Sequence, residues 1–185
     1  MKLHAAFGFF EKGGIYVLSG ADPQENRACL TLMTISNIAD ITDSRPTRKV
    51  LVFLRKTDLQ EWGMKLLSYT SDVPMRKIRK GDFVADDWRN FATATEDLAR
   101  VGVHLYESVD VLNDCVSYCR SQHKTGNCFD AVVIDGLTAQ EESDLGDGGE
   151  VRSALSALAK DLQVSIVTSS PTYKGKQKPM LERVF

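Results

Sequence analysis

Phe129-Asp130-Ala131-Val132-Val133-Ile134-Asp135-Gly136-Leu137 is the stretch on which the fold turns. Between Asp130 and Asp135 there is no polar residue and no alternation of apolar with polar positions. A half-solvated strand alternates, whereas an unbroken apolar run too short for a helix predicts a strand covered on both faces, here over residues 131–134. Working outward, runs of the same character lie at 15–19, 50–54, 103–106 and 164–168. Helical patterns fill the gaps. Residues 26–39 carry Leu30, Met33 and Ile38, and 58–69 open on Asp58 as an N-cap with Glu61 three residues on. Residues 86–100 present Trp88, Phe91, Ala92, Leu98 and Ala99; 109–122 present Leu112, Cys115, Val116 and Cys119; 151–162 place Leu155, Leu158 and Ala159 on one side. Trp62 and Trp88 read as helix packing residues. Strands alternating with helices predict an α/β fold, a mainly parallel central sheet between two helical layers joined by right-handed crossovers.

The chain has 185 residues, 43% hydrophobic and 26% charged, which fits one domain over residues 1–185. A chain of that size buries roughly 70% of its unfolded surface, so disordered and miniprotein classes drop out. Its 23 Lys+Arg and 25 Asp+Glu leave a formal charge of −2, so any nucleic-acid contact must be local. No stretch approaches the ~18 apolar residues of a membrane span, and residues 1–10 run into Glu11 and Lys12 without a small-residue cleavage pattern. Neither a membrane partner nor a signal peptide is expected. Cys29, Cys115, Cys119 and Cys128 are unevenly spread and read as reduced thiols of a cytoplasmic protein. Residues 44–49 form a basic turn, and 138–150 a Gly-rich acidic loop.

Ligands of open parallel sheets sit beyond the carboxyl ends of the strands. The first strand-to-helix turn reads Gly20-Ala21-Asp22-Pro23-Gln24-Glu25-Asn26-Arg27. A phosphate loop there needs Gly, Lys and Ser or Thr where Glu25, Asn26 and Arg27 stand. Glu25 adds a side chain and a negative charge, Asn26 supplies no cation, and Arg27 has no hydroxyl for Mg²⁺.

Taken together, the sequence resembles the RecA-like C-terminal motor domain of the DnaB-type replicative helicases, with a degenerate Walker A loop. Gly13-Gly14-Ile15-Tyr16-Val17 is similar to the strand leading into the family's phosphate loop, and Lys49-Val50-Leu51-Val52-Phe53 to its second strand. The most specific match is Met75-Arg76-Lys77-Ile78-Arg79-Lys80-Gly81-Asp82-Phe83 followed by Asp86-Asp87-Trp88, a basic turn and Gly before a helix opened by an acidic pair and Trp. Phe129 to Leu137 resembles the Walker B strand; Leu158-Ala159-Lys160-Asp161-Leu162-Gln163-Val164 and Lys178-Pro179-Met180-Leu181 follow in family order. The resemblance implies that Asp135 matches the carboxylate that helps hold Mg²⁺. It places Lys56 at the general-base Glu and Pro171 at the γ-phosphate-sensing Gln, and sets the arginine finger beyond Phe185. A cationic Lys56 cannot deprotonate the attacking water.

These departures imply a non-hydrolysing pseudo-helicase domain without a cofactor. Its expected partners are itself or a replicative helicase subunit, in replication or mobile-element maintenance. The alternatives are a residual ATP-dependent helicase subunit using Asp135, ATP and Mg²⁺, or a weak single-stranded DNA-binding module. Lys174, Lys176 and Lys178 lie where the resemblance places a DNA-facing loop, and Arg76, Lys77, Arg79 and Lys80 form a second basic cluster; solvated surface charge explains both equally simply. Cys115, Cys119, His123 and Cys128 compose a four-ligand zinc set by type, but structural zinc favours two-residue Cys spacing, and Cys115 and Cys119 also fall on a core face.

Overall fold

The computed structural model describes residues 10–19, 49–55, 59–100, 102–108, 110–135, 137, 139–146, 149–170 and 180–183. The strands are β1 (Ile15–Ser19), β2 (Lys49–Arg55), β3 (Gly102–Ser108), β4 (Ala131–Asp135), β5 (Ser165–Ser170) and β6 (Met180–Arg183). The helices are α1 (Leu59–Ser71), α2 (Met75–Lys80), α3 (Ala85–Arg100), α4 (Val111–Lys124), α5 (Ala139–Gly146) and α6 (Glu150–Leu162). Sheet order is β3-β2-β4-β5-β1-β6. The first five of these strands run parallel, and β6 closes the edge antiparallel to β1. The mainly parallel α/β expectation holds.

Period-2 geometry sends neighbouring residues of each strand to opposite faces. Val50, Val52 and Leu54 of β2, with Ala131 and Val133 of β4, meet Trp62 and Leu66 of α1 and the half-buried Leu98 of α3. Leu51, Phe53, Val132 and Ile134 meet Val111, Cys115 and Cys119 of α4 and Leu155, Leu158 and Ala159 of α6. All five residues of β4 are buried, which explains why the opening stretch carries no alternation. The chain steps outward from β2 to β3 through α1–α3 on one face, then back to β4 through α4 on the other. A reversal of direction accompanied by a change of face keeps one crossover hand.

Local chemistry sets the element ends. Asp110 caps α4 by accepting from the Asn113 amide at 3.4 Å, and Ser108 at the end of β3 donates to Asp114 in the next turn. Asp130 pins β4 to β2 by accepting from the Lys49 amide at 3.0 Å. Gly81 ends α2 at φ 66°, a left-handed position where a Cβ costs roughly 1–2 kcal/mol.

Some sequence expectations need correction. β3 is the sheet's free edge, and His104 and Leu105 are exposed, so residues 103–106 are not covered on both faces. Trp88 is 57% exposed, and Ala92 and Ala99 also face solvent; the inward face of α3 is Phe91, Ala94 and Leu98. Part of the 138–150 acidic loop is the helix α5, which buries Leu145. The helix expected over 26–39 and the Asp58 cap lie outside the described residues.

Candidate functional site

Parallel β1, β5, β4 and β2 deliver their carboxyl ends to one edge of the sheet, the position at which such folds hold ligands. Register fixes the geometry of that edge. Ile134 of β4 pairs with Thr168 of β5, and Thr168 with Val17 of β1, so Asp135 stands one step beyond that row. Two strand spacings, about 10 Å, separate β4 from β1. β1 ends at Ser19 on this same edge. Thr168 fastens the row internally, its hydroxyl donating to the Ile134 carbonyl at 2.9 Å.

Asp135 is 1% exposed and pairs in register with Leu54 of β2. One residue past Leu54, Arg55 reaches across to α5 and donates from Nη2 to both carboxylate oxygens of Glu141, at 3.0 and 2.9 Å. Both partners are partly exposed, at 26% and 19% of their side chains, so the pair ties the β2 end to α5 without a fully desolvated charge. Sequence reading missed this pair. Its one signal was a cation directly after an apolar strand facing an acidic segment after the next.

The structure places the predicted residues unevenly. Asp135 is at the carboxyl edge as expected. Gly20, Glu25, Asn26, Arg27, Lys56, Pro171, Lys174, Lys176 and Lys178 lie outside the described residues. Of the second basic cluster, Lys77 pairs with Asp87 at 2.5 Å and Arg79 with Glu61 at 2.5 Å, and Arg76, Arg79 and Lys80 are exposed. Half of that cluster therefore ties α2 to its neighbours, Lys77 to α3 and Arg79 to α1. Asp87 also accepts from the Val84 amide at 3.0 Å, the returning half of a capping box. The Lys77 bond first, then the Val84 amide, hold its carboxyl below the usual aspartate value.

The four zinc-type residues separate into two settings. Cys115 and Cys119 are buried under the sheet, and the Cys115 thiol is pushed well above its ordinary value by its hydrogen bond with Cys119 and by burial. His123 and Cys128 are exposed at the end of α4, Sγ lying 3.4 Å from Nδ1. Among the described residues no three His, Cys, Asp or Glu side chains converge on a metal-sized site. No helix among them is long and apolar enough to cross a membrane.

Comparison with known proteins identifies this scaffold. Residues 1–181 match the family model described as the DnaB-like helicase C terminal domain. The replicative DNA helicase DnaB of Geobacillus stearothermophilus is 21% identical over 168 residues, covering 87% of this chain and 36% of that protein. The DnaB of Leifsonia xyli subsp. xyli is 26% identical over 172 residues, covering 89% of this chain and 36% of its own. The chain thus spans little more than a third of the length of these relatives. A solved DnaB-like replicative helicase, described with its interactions with primase, superposes with a TM-score of 0.61 at 16% identity, covering 91% of this chain and 42% of its own. A solved ATPase domain gives the same TM-score of 0.61 over 87% of this chain and 58% of its own. At such identity the solved structures establish a shared RecA-like fold, and with the family match over nearly all residues, the chain belongs to the DnaB-like helicase C-terminal domain family.

Proposed function

We propose that residues 1–185 act as one RecA-like domain that has lost ATP hydrolysis and works by protein association, in DNA replication or mobile-element maintenance. One observation carries the reading. From Gly20 to Asp40 there is one glycine and no lysine, so the turn after β1 lacks the backbone freedom and the ammonium of a phosphate loop. Glu25 adds a negative charge to the same turn. Lys56 stands where the family's general base falls, and Arg55 beside it is already engaged by Glu141. Asp135 is an oxygen donor suited to Mg²⁺, but Asn26 and Arg27 supply neither the ammonium nor the hydroxyl of a MgATP set.

A fold kept without its chemistry serves as a binding surface. Family motors assemble subunit to subunit across the nucleotide site, and that contact is available to a copy of this chain or to a helicase subunit. Pull-down with a replicative helicase and native mass measurement test this. Hetero- or self-association at tens of micromolar is the expected outcome; a monomer that captures no helicase contradicts the reading. Single-stranded DNA binding through Lys174, Lys176 and Lys178 is the competing role. It predicts an affinity that falls steeply with salt, and absence of binding at low salt removes it.

A further inference from the structure

We propose that Cys128 and His123 form a reactive thiol site, at which Cys128 exchanges with a low-molecular-mass disulfide and His123 carries the proton. The thiol is exposed, and its Sγ lies 3.4 Å from His123 Nδ1, within the longer reach of a sulfur hydrogen bond. A nucleophile beside an imidazole is the arrangement that activates cysteine for attack.

Several bonds hold the pair in place. After α4 the chain doubles back: the Thr125 amide donates to the Gln122 carbonyl at 3.1 Å and the Gly126 amide to the His123 carbonyl at 3.0 Å. Gly126 takes φ 80°, which lets the turn close. Asn127 Nδ2 then donates to Gln122 Oε1 at 2.6 Å, while Asn127 Oδ1 accepts from Lys49 Nζ at 2.5 Å. Held from both sides, Asn127 fixes the next residue, Cys128, against the last turn of α4. The two side chains share a small pocket with Cys119, Phe129, Leu162 and Val164 in its walls.

Selectivity follows from burial. Cys115 is closed off beneath the sheet and resists deprotonation through its bond with Cys119 and its burial; Cys119 borders the pocket but is only 2% exposed. Cys128 also lies before the amino end of β4, across the sheet from Asp135. The site is therefore independent of the carboxyl edge and of the function proposed for it.

In the exchange, Cys128 Sγ attacks one sulfur of the disulfide and forms a new S–S bond. The old S–S bond breaks, its electron pair leaves with the departing sulfur, and the proton from Sγ passes through His123 Nδ1 to that sulfur. The products are a mixed disulfide on Cys128 and one free thiol, with no further oxidant needed.

Oxidised glutathione serves as the probe. The folded chain is incubated with it, and intact mass with peptide mapping locates the adduct. One glutathione on Cys128 is expected, added faster than to the same cysteine in the urea-unfolded chain. Cys128→Ser removes that adduct. His123→Ala and His123→Gln both slow it by about 10- to 100-fold, because neither side chain can take up and release a proton near neutral pH. Equal rates in folded and unfolded chains, an unchanged rate in His123→Ala, or a full rate in His123→Gln would overturn the proposal. Circular dichroism confirms that the variants fold, which an exposed histidine permits.

Discussion

Asp87 accepts from the Lys77 ammonium and from the Val84 amide, so a single carboxylate joins α2 to α3 and completes the helix start. Both bonds require the charged form, and the folded-state pKa is depressed in consequence. The sign follows: the contribution is fully present above the unfolded value, about 3.9, and is lost as pH falls through the lower folded value. Asp87→Asn should therefore melt below the wild type near neutrality, with the two curves converging on strong acidification. A gap that stays constant into the acid range would contradict the role given to this carboxylate. Core and surface side chains separate as sharply. Leu155 is fully buried against the sheet, and Leu155→Ala should cost about 2–5 kcal/mol in a denaturant titration. Trp88, larger but 57% exposed, rests edge-on against Phe83 with ring centroids 4.7 Å apart. Trp88→Ala should cost about 0.5–1.5 kcal/mol, the worth of an aromatic pair. A larger loss at Trp88 than at Leu155 would invert the assignment of the core.

At the scale of elements, what the sequence made legible follows burial. β1, β2, β4 and β5 lie inside the sheet, and their continuous Val, Ile and Leu runs allowed their positions to be read within a residue or two. β3 was found by the same signal but misjudged, because a strand on an open edge uses similar residues while leaving His104 and Leu105 in solvent. α2, Met75-Arg76-Lys77-Ile78-Arg79-Lys80, is too short and too charged to show a helical period. Its structure comes from the Gly81 cap and from ion pairs to α1 and α3, which are tertiary features. α5 was hidden by acidic composition, with Leu145 as its buried residue. On α3 the expected face fails at Trp88, Ala92 and Ala99, which are exposed, whereas the small Ala94 faces inward. At the site, Asp135 was legible as the polar end of an apolar strand. The Arg55–Glu141 pair was not, since its partners are far apart in sequence and meet only through the order of the strands. Within the Met75-to-Trp88 motif, the most specific sequence feature, Lys77, Asp87, Phe83 and Trp88 build the α2–α3 corner and Arg79 ties α2 to α1.

At the scale of the molecule, the chain is a DnaB-like helicase C-terminal domain with Asp135 at the carboxyl edge of its parallel sheet, and the proposed loss of hydrolysis rests on Glu25, Asn26, Arg27 and Lys56 in its sequence. The near-neutral charge of −2 gives no general attraction for DNA, in keeping with a protein partner. The proposed function implies that this domain does not hydrolyse ATP. Phosphate release with ATP and Mg²⁺, measured side by side for the wild type and Asp135→Asn, tests it most directly. Neither protein is expected to exceed the buffer blank; clear turnover by the wild type that Asp135→Asn abolishes would contradict the proposed loss of hydrolysis.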